Sequence, residues 1–326
     1  MQSLEKTSNT NGYLYPIYVR EGNKLDKYKA GFINSQGKVV IGQIFEDARQ
    51  FNEGLAPVRK GCKWGAIDSS GTTVIPCTYA GLGLRFSEGT ISFSVGNRHG
   101  VLARDGTVII PPRYWSISDF SEGMAYIWDG KQFGFINRQG EEVIPLFFED
   151  VREFRDSLAP AKLGGKYGFI DPRAVFKIGA RFEEARVFCE GVARVRVENR
   201  WGYVDREGEF VIPPRFATAF DFSEGLASVA LAKNGPWGYV DKSGQFAIQP
   251  AYNFAMPFVE GLAAVSPMGQ RTKHFINTKG QTAFAGDYLG VEPFGHGLCL
   301  VSTIDTIAYI NRSGQTIWEG PYITGR

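Results

Sequence analysis

The chain has 326 residues, a formal net charge of +2 and only 21 % charged residues, beside 14 % aromatics and 40 glycines. So balanced a charge leaves no global electrostatic footprint for nucleic acid or an anionic membrane. No apolar run approaches the roughly 18 residues of a membrane-spanning helix.

The N-terminal stretch MQSLEKTSNTNG lacks the apolar core of a secretory signal, which sets the expectation of a cytoplasmic protein. Four cysteines, Cys62, Cys77, Cys189 and Cys299, stand far apart with no CxxC or Cys/His spacing. That pattern predicts reduced thiols rather than disulfides or a zinc site.

Beyond a polar tail over residues 1–11, the sequence repeats itself. WGYVDREGEFVIPPR at 201–215 returns as WGYVDKSGQFAIQPA at 237–251. Taking the Gly of the WG pair as a landmark, the copies fall at Gly31, Gly65, Gly100, Gly134, Gly168, Gly202 and Gly238, and the slot is then filled by His274 and Ala308. A second landmark, the turn of FSEG, falls at Gly12, Gly54, Gly89, Gly123, Ser157, Gly191, Gly225, Gly261 and Gly297. Three residues before each of the last eight lies a Phe, from Phe51 to Phe294. Both series count nine copies, and a fixed period of this length marks a repeat architecture.

Within a copy three short strands are predicted. GLASVALA at 225–232 alternates apolar with small or polar residues, as a half-buried strand does. WGYVD and EFVIP follow, rich in the β-branched and aromatic residues that suit a pleated sheet. Between them Asp205…Gly208 recurs as Asn34…Gly37, Asp68…Gly71 and Asn277…Gly280. The Asx side chain initiates a type I turn and the Gly closes a hairpin with a bulge. A calcium loop would need carboxylates at alternate positions, which no copy has. The fifth copy lacks this Gly, at Ala174. After the third strand, Pro76, Pro111, Pro145, Pro213 and Pro250 mark a strand end or edge, and the stretch before each Phe has room for a short fourth strand.

The fold class is therefore all-β, a single domain over 12–326 built of nine antiparallel units of three to four strands. A propeller-like ring is favoured because closure removes exposed edges. An open, curved β-solenoid is the alternative, since nine units exceed the usual blade number. The consensus F-S-E-G-L-A-x-V…K-W-G-Y-I-D-x-x-G-x-x-V-I-P-P-x-Y, carried most fully by Lys63-Trp64-Gly65 and Arg200-Trp201-Gly202, resembles the bacterial WG (KWG) repeat family. The resemblance implies a repeat scaffold and transfers no catalytic residue.

No hydrolase, P-loop or dinucleotide-binding pattern is present. The three histidines, His99, His274 and His296, occupy repeat slots, so they read as drifted consensus positions. Neither a cofactor nor a metal is expected, and the protein is read as not an enzyme. The recurring acid before the second landmark (Glu53, Glu88, Glu122, Asp156, Glu190, Glu224, Glu260), with the base before the Trp slot (Lys29, Lys63, Arg98, Lys166, Arg200) opposing it, is expected to make one structural salt bridge or turn contact per copy; an acidic ring for a cation or basic partner is the functional alternative.

Function on such a scaffold is sought where copies differ. The first, seventh and eighth copies carry longer hairpin loops, and closure would bring these into one sector. Arg20, Lys24, Lys27, Lys233, Arg271 and Lys273 would then form a basic rim for another protein. The reading is a non-catalytic protein-interaction scaffold, an adaptor or a toxin-neutralising immunity protein. The alternative is a lectin-like module that stacks glycans on Trp115, Trp128 or Trp318. Nucleic acid is not an expected partner, and no membrane association is expected.

Overall fold

The computed structural model describes residues 12–20 and 28–321, and every regular element among them is a β-strand. The second unit shows the pattern: Asp47–Ala48, Leu55–Lys60, Lys63–Asp68 and Thr73–Tyr79 form one antiparallel sheet in that order. The expected fourth strand is thus the first, only two residues long. Seven other units repeat this order; in the seventh and eighth, a continuous strand Phe246–Ala255 serves as the last strand of one and the first of the next. The first unit shows three strands, Tyr15–Arg20, Tyr28–Ile33 and Val39–Phe45, among the described residues.

Each turn has an identifiable cause. In the FSEG turn, Glu53 and Gly54 have φ of 52° and 79°, and Asn52 and Leu55 exchange two backbone hydrogen bonds. Two consecutive residues at positive φ make a type I′ hairpin, whose twist matches that of the strands. In the Asx turn, the Asp68 carboxylate accepts from the amides of Ser70 and Thr72, and Gly71 sits at φ 86°. Ala174 of the fifth unit adopts φ 62° in the same place; the turn survives without its glycine.

The Gly of the WG pair has a different reason. A bulge in the last strand brings backbone against the third strand, so a Cβ on Gly202 would lie 2.6 Å from the Ile212 carbonyl oxygen. In the ninth unit the pairing runs Tyr309 to Trp318, Ala308 to Glu319 and Ile307 to Gly320 without that bulge, which makes room for Ala308.

Among the described residues, nine apolar cores join the units, and each lies between two of them. Eight connect successive units along the chain. The ninth combines Leu298 and Tyr309 of the last unit with Tyr15, Ile17 and Ile33 of the first. Nine units with nine interfaces form a closed ring, so the open solenoid is not the arrangement adopted. The recurring Phe is buried in all eight copies and packs on the third strand of the preceding unit. Phe32–Phe51, Phe135–Phe154, Tyr203–Phe222 and Tyr239–Phe258 have ring centroids 4.8 to 4.9 Å apart. Such pairs add about 0.5–1.5 kcal/mol to plain burial.

Strand pairing corrects one landmark. Ile17 pairs with Gly31 as Val58 pairs with Gly65. Counting back four residues from each puts Tyr13, not Gly12, in the turn-glycine slot of the first unit.

Candidate functional site

The recurring acids bind the scaffold itself. Glu53 accepts from the backbone amides of Glu88 and Gly89 in the next unit, Glu88 from Gly123, and Glu122 from Ser157. Glu190, Glu224 and Glu260 do the same with Gly225, Gly261 and Gly297. These glutamates sit at φ near 50–55°, a conformation that costs a non-Gly residue about 1–2 kcal/mol. The charge-assisted bond to the neighbouring turn offsets that cost.

Cations reach the same acids from the Asx turn of the following unit: Arg138 lies 2.8 Å from Glu88, and Lys242 3.6 Å from Glu190. The bases before the Trp slot take no part. They start the third strand at the hairpin end of the unit, a six-residue strand or about 20 Å from the FSEG turn. Acid and base of one copy thus occupy opposite rims, so no salt bridge joins them, and the structural contact each of these glutamates makes is the one to the neighbouring turn.

The described hairpins between second and third strands lie on that other rim. Ring closure places the seventh, eighth, ninth and first units in succession there. Arg20, Lys233 and Arg271 are exposed on it. Lys273 is engaged: its ammonium donates to the Leu289 carbonyl and lies 5.3 Å from the Phe254 ring. Lys24 and Lys27 lie outside the described residues.

Sequence reading missed the apolar members of this rim. Leu231, Met268 and Ile304, in three consecutive units, are 48 %, 55 % and 75 % exposed. Val95 and Leu163 are exposed on the same rim in the third and fifth units, with no such residue in the fourth between them. The available signal was a large apolar residue within a loop otherwise built of small, polar and charged side chains.

Each tryptophan considered for glycan stacking has a cationic or aromatic neighbour in its own chain, while Trp115 stays 41 % exposed. Arg98 lies 4.3 Å from the centre of the Trp115 ring, Trp128 stacks on Phe133 at 6.0 Å, and Trp318 packs near Tyr309. His99 lines a polar cavity between the third and fourth units. His274 is half-buried, and burial lowers its pKa. His296 stacks on Tyr13. These three are in different units and form no common site. A second cavity, of about 1320 Å³, opens at the seam between the ninth, first and second units, with His296, Glu292, Arg49 and Tyr18 on its walls.

A ring of small antiparallel sheets around a common axis, each packed face to face on the next, is a β-propeller-like repeat fold. The model of the WG containing repeat matches residues 31–64, 64–98, 100–127, 133–167, 167–201, 201–233 and 237–266, and the chain belongs to the WG-repeat family. None of the curated proteins matches the sequence.

Among solved structures, a eukaryotic initiation factor is similar over 95 % of this chain and 96 % of its own, at 11 % identity and a TM-score of 0.65. Dihydro-heme d1 dehydrogenase NirN, in complex with DHE, is similar over 84 % and 72 %, at 9 % identity and a TM-score of 0.51. At such identities the likeness is one of fold alone.

Proposed function

We propose that this protein is a non-catalytic scaffold whose partner is another protein, docked on the hairpin rim of the seventh, eighth, ninth and first units. The observation that carries this reading is the run of exposed Leu231, Met268 and Ile304 on consecutive hairpins, with exposed Lys233, Arg271 and Arg20 on the same rim. Apolar residues flanked by cations make a small desolvable centre with a polar border, the anatomy of a protein interface. An acidic partner surface is the complement. An adaptor or a toxin-neutralising immunity protein would use such a rim.

The test compares three forms of the chain against the partner recovered by affinity capture. Leu231→Ser with Met268→Ser and Ile304→Ser should weaken the measured Kd at least about tenfold, the scale of one lost hot spot. Arg206→Ala with Lys279→Ala, on the Asx-turn rim, should leave it unchanged. Loss of binding in the second variant and not the first would place the partner on the opposite rim and overturn the reading.

A further inference from the structure

The same five positions face each unit's successor, and their occupants decide whether the groove between neighbours is filled. In the second unit they are Asp47, Arg49, Pro57, Arg59 and Trp64; in the sixth they are Glu184, Arg186, Arg194, Arg196 and Trp201. These equivalences follow from pairings such as Asp47 with Arg59 and Glu184 with Arg196. Stacking fills both grooves. Arg49 and Arg59 lie 4.0 and 5.7 Å from the Trp64 ring, and Arg194 and Arg196 lie 4.7 and 5.7 Å from Trp201. Arg194 also meets Asp221 of the seventh unit at 3.0 Å.

In the third unit the same positions hold Gly81, Gly83, Ser92, Ser94 and His99, with Gly81 paired to Ser94. Every large side chain of the plug is replaced by a small one or by an imidazole. The walls of the space continue along Ser116, Ser118, Asp119 and Tyr126 of the fourth unit and reach Glu153 and Arg155 of the fifth. What remains is a cavity of about 560 Å³, within the range of roughly 300–1,000 Å³ typical of small-molecule sites.

Its chemistry is specific. The Ser118 hydroxyl is used, donating to the Asp119 carbonyl and accepting from the Tyr126 amide. Ser92, Ser94, Ser116 and His99 make no side-chain hydrogen bond to another described residue, so three hydroxyls and an imidazole are available to a ligand. The charges on the walls are balanced. Arg85 is paired with Asp119 at 3.1 Å, and Arg155 and Glu153 bring one charge of each sign. An apolar ligand would strand the hydroxyls without partners, and the balanced charge offers an anion no net attraction. A ligand carrying several hydroxyls of its own satisfies both conditions, because each serine can donate to it and accept from it.

We propose that the groove between the third and fourth units is a binding site for a small neutral polyhydroxylated ligand, a mono- or disaccharide. The site lies at the third and fourth units, outside the sector of the seventh, eighth, ninth and first units, and does not depend on the scaffold reading.

The experiment is calorimetry and saturation-transfer NMR on the full chain with glucose, galactose, mannose, maltose, sucrose and trehalose, and with sodium phosphate as the anionic control. At least one of the sugars should bind wild type. Ser94→Arg with His99→Trp installs the residues that the second unit uses to fill its own groove, and should weaken that binding at least about tenfold while the circular dichroism spectrum and melting temperature are retained. Should this variant fail to fold, Ser92→Ala with Ser94→Ala removes two hydroxyls without adding bulk. Two net hydrogen bonds of about 1 kcal/mol each again predict a loss of at least about tenfold. No binding of any of the six sugars, binding of phosphate in their place, or sugar binding unaltered in the folded variants would each overturn the proposal.

Discussion

The imidazole of His296 lies 3.7 Å from the ring of Tyr13, with 21° between the planes. His296 occupies the acid slot of the last unit and Tyr13 the turn-glycine slot of the first. The seam of the ring is therefore made with the same two positions as the other junctions, but with stacking in place of a carboxylate-to-amide hydrogen bond. Two tyrosine hydroxyls add to it: Tyr15 donates to the His296 carbonyl and Tyr309 to that of Pro16.

Replacing the seam pair tests whether the two chemistries are interchangeable. His296→Ala should lower stability by about 1 kcal/mol, the value of an aromatic pair. His296→Glu combined with Tyr13→Gly rebuilds the pair found at the other junctions and should recover most of that loss. A double-mutant cycle followed by urea unfolding measures the coupling; two additive losses would show that the slots are not equivalent.

A methyl group at the WG glycine should be poorly tolerated. Gly202→Ala places a Cβ 2.6 Å from the Ile212 carbonyl oxygen, and overpacking of this kind costs about 1–3 kcal/mol. The melting temperature reports it. Ala308→Gly, in the unit without the bulge, should change stability far less.

The fifth unit offers the opposite experiment. Ala174 is held at φ 62°, where the Cβ of an L-residue is unfavourable by about 1–2 kcal/mol. Ala174→Gly should raise the melting temperature, although the greater freedom of glycine in the unfolded chain removes part of the gain. No change or a fall would mean that the turn carries no such strain.

Acid should loosen the ring. Burial pushes the Glu88 carboxyl up, but hydrogen bonds from Arg138 and from the Gly123 amide outweigh it and leave the pKa below the usual carboxylate value. Asp68, Asp105 and Asp241 are also lowered, through bonds within their Asx turns. A carboxyl whose folded pKa is depressed contributes stability above its unfolded pKa and loses it as pH falls through the folded one. The melting temperature should hold from pH 7 to about 5 and fall below about 4. Arg138→Ala should make that fall shallower.

Thiol reactivity should follow position. Cys62 is exposed on a hairpin and Cys299 is buried. Burial pushes the Cys299 thiol up to about 12, so little thiolate exists near neutral pH. A disulfide reagent at pH 8 should label Cys62 first and leave Cys299 untouched until the protein unfolds. Labelling of Cys299 at the rate of Cys62 would contradict the packing of the ninth unit.

Much of this molecule is local, and local features are legible in a sequence. The nine copies, the Asx turn at Asp205…Gly208 and the strand WGYVD are each fixed by residues within a few positions of one another. The buried Phe series was visible as a pattern, but its purpose was not, because each ring packs on the unit before it. The same limit hid the role of Glu53, whose partners are the amides of Glu88 and Gly89 more than thirty residues on.

Ring closure, too, was decided in three dimensions. The curvature that brings Tyr309 to Tyr15 is the sum of nine small rotations set by side-chain packing, and no single stretch of sequence encodes it. The open groove at Ser92, Ser94 and His99 belongs to the same class. Each residue is unremarkable in its own copy, and only superposed units show that a stack of arginine and tryptophan is missing there. Sequence determined the unit, because turns and strands depend on neighbours along the chain; the structure decided what the units enclose, because that depends on neighbours across it.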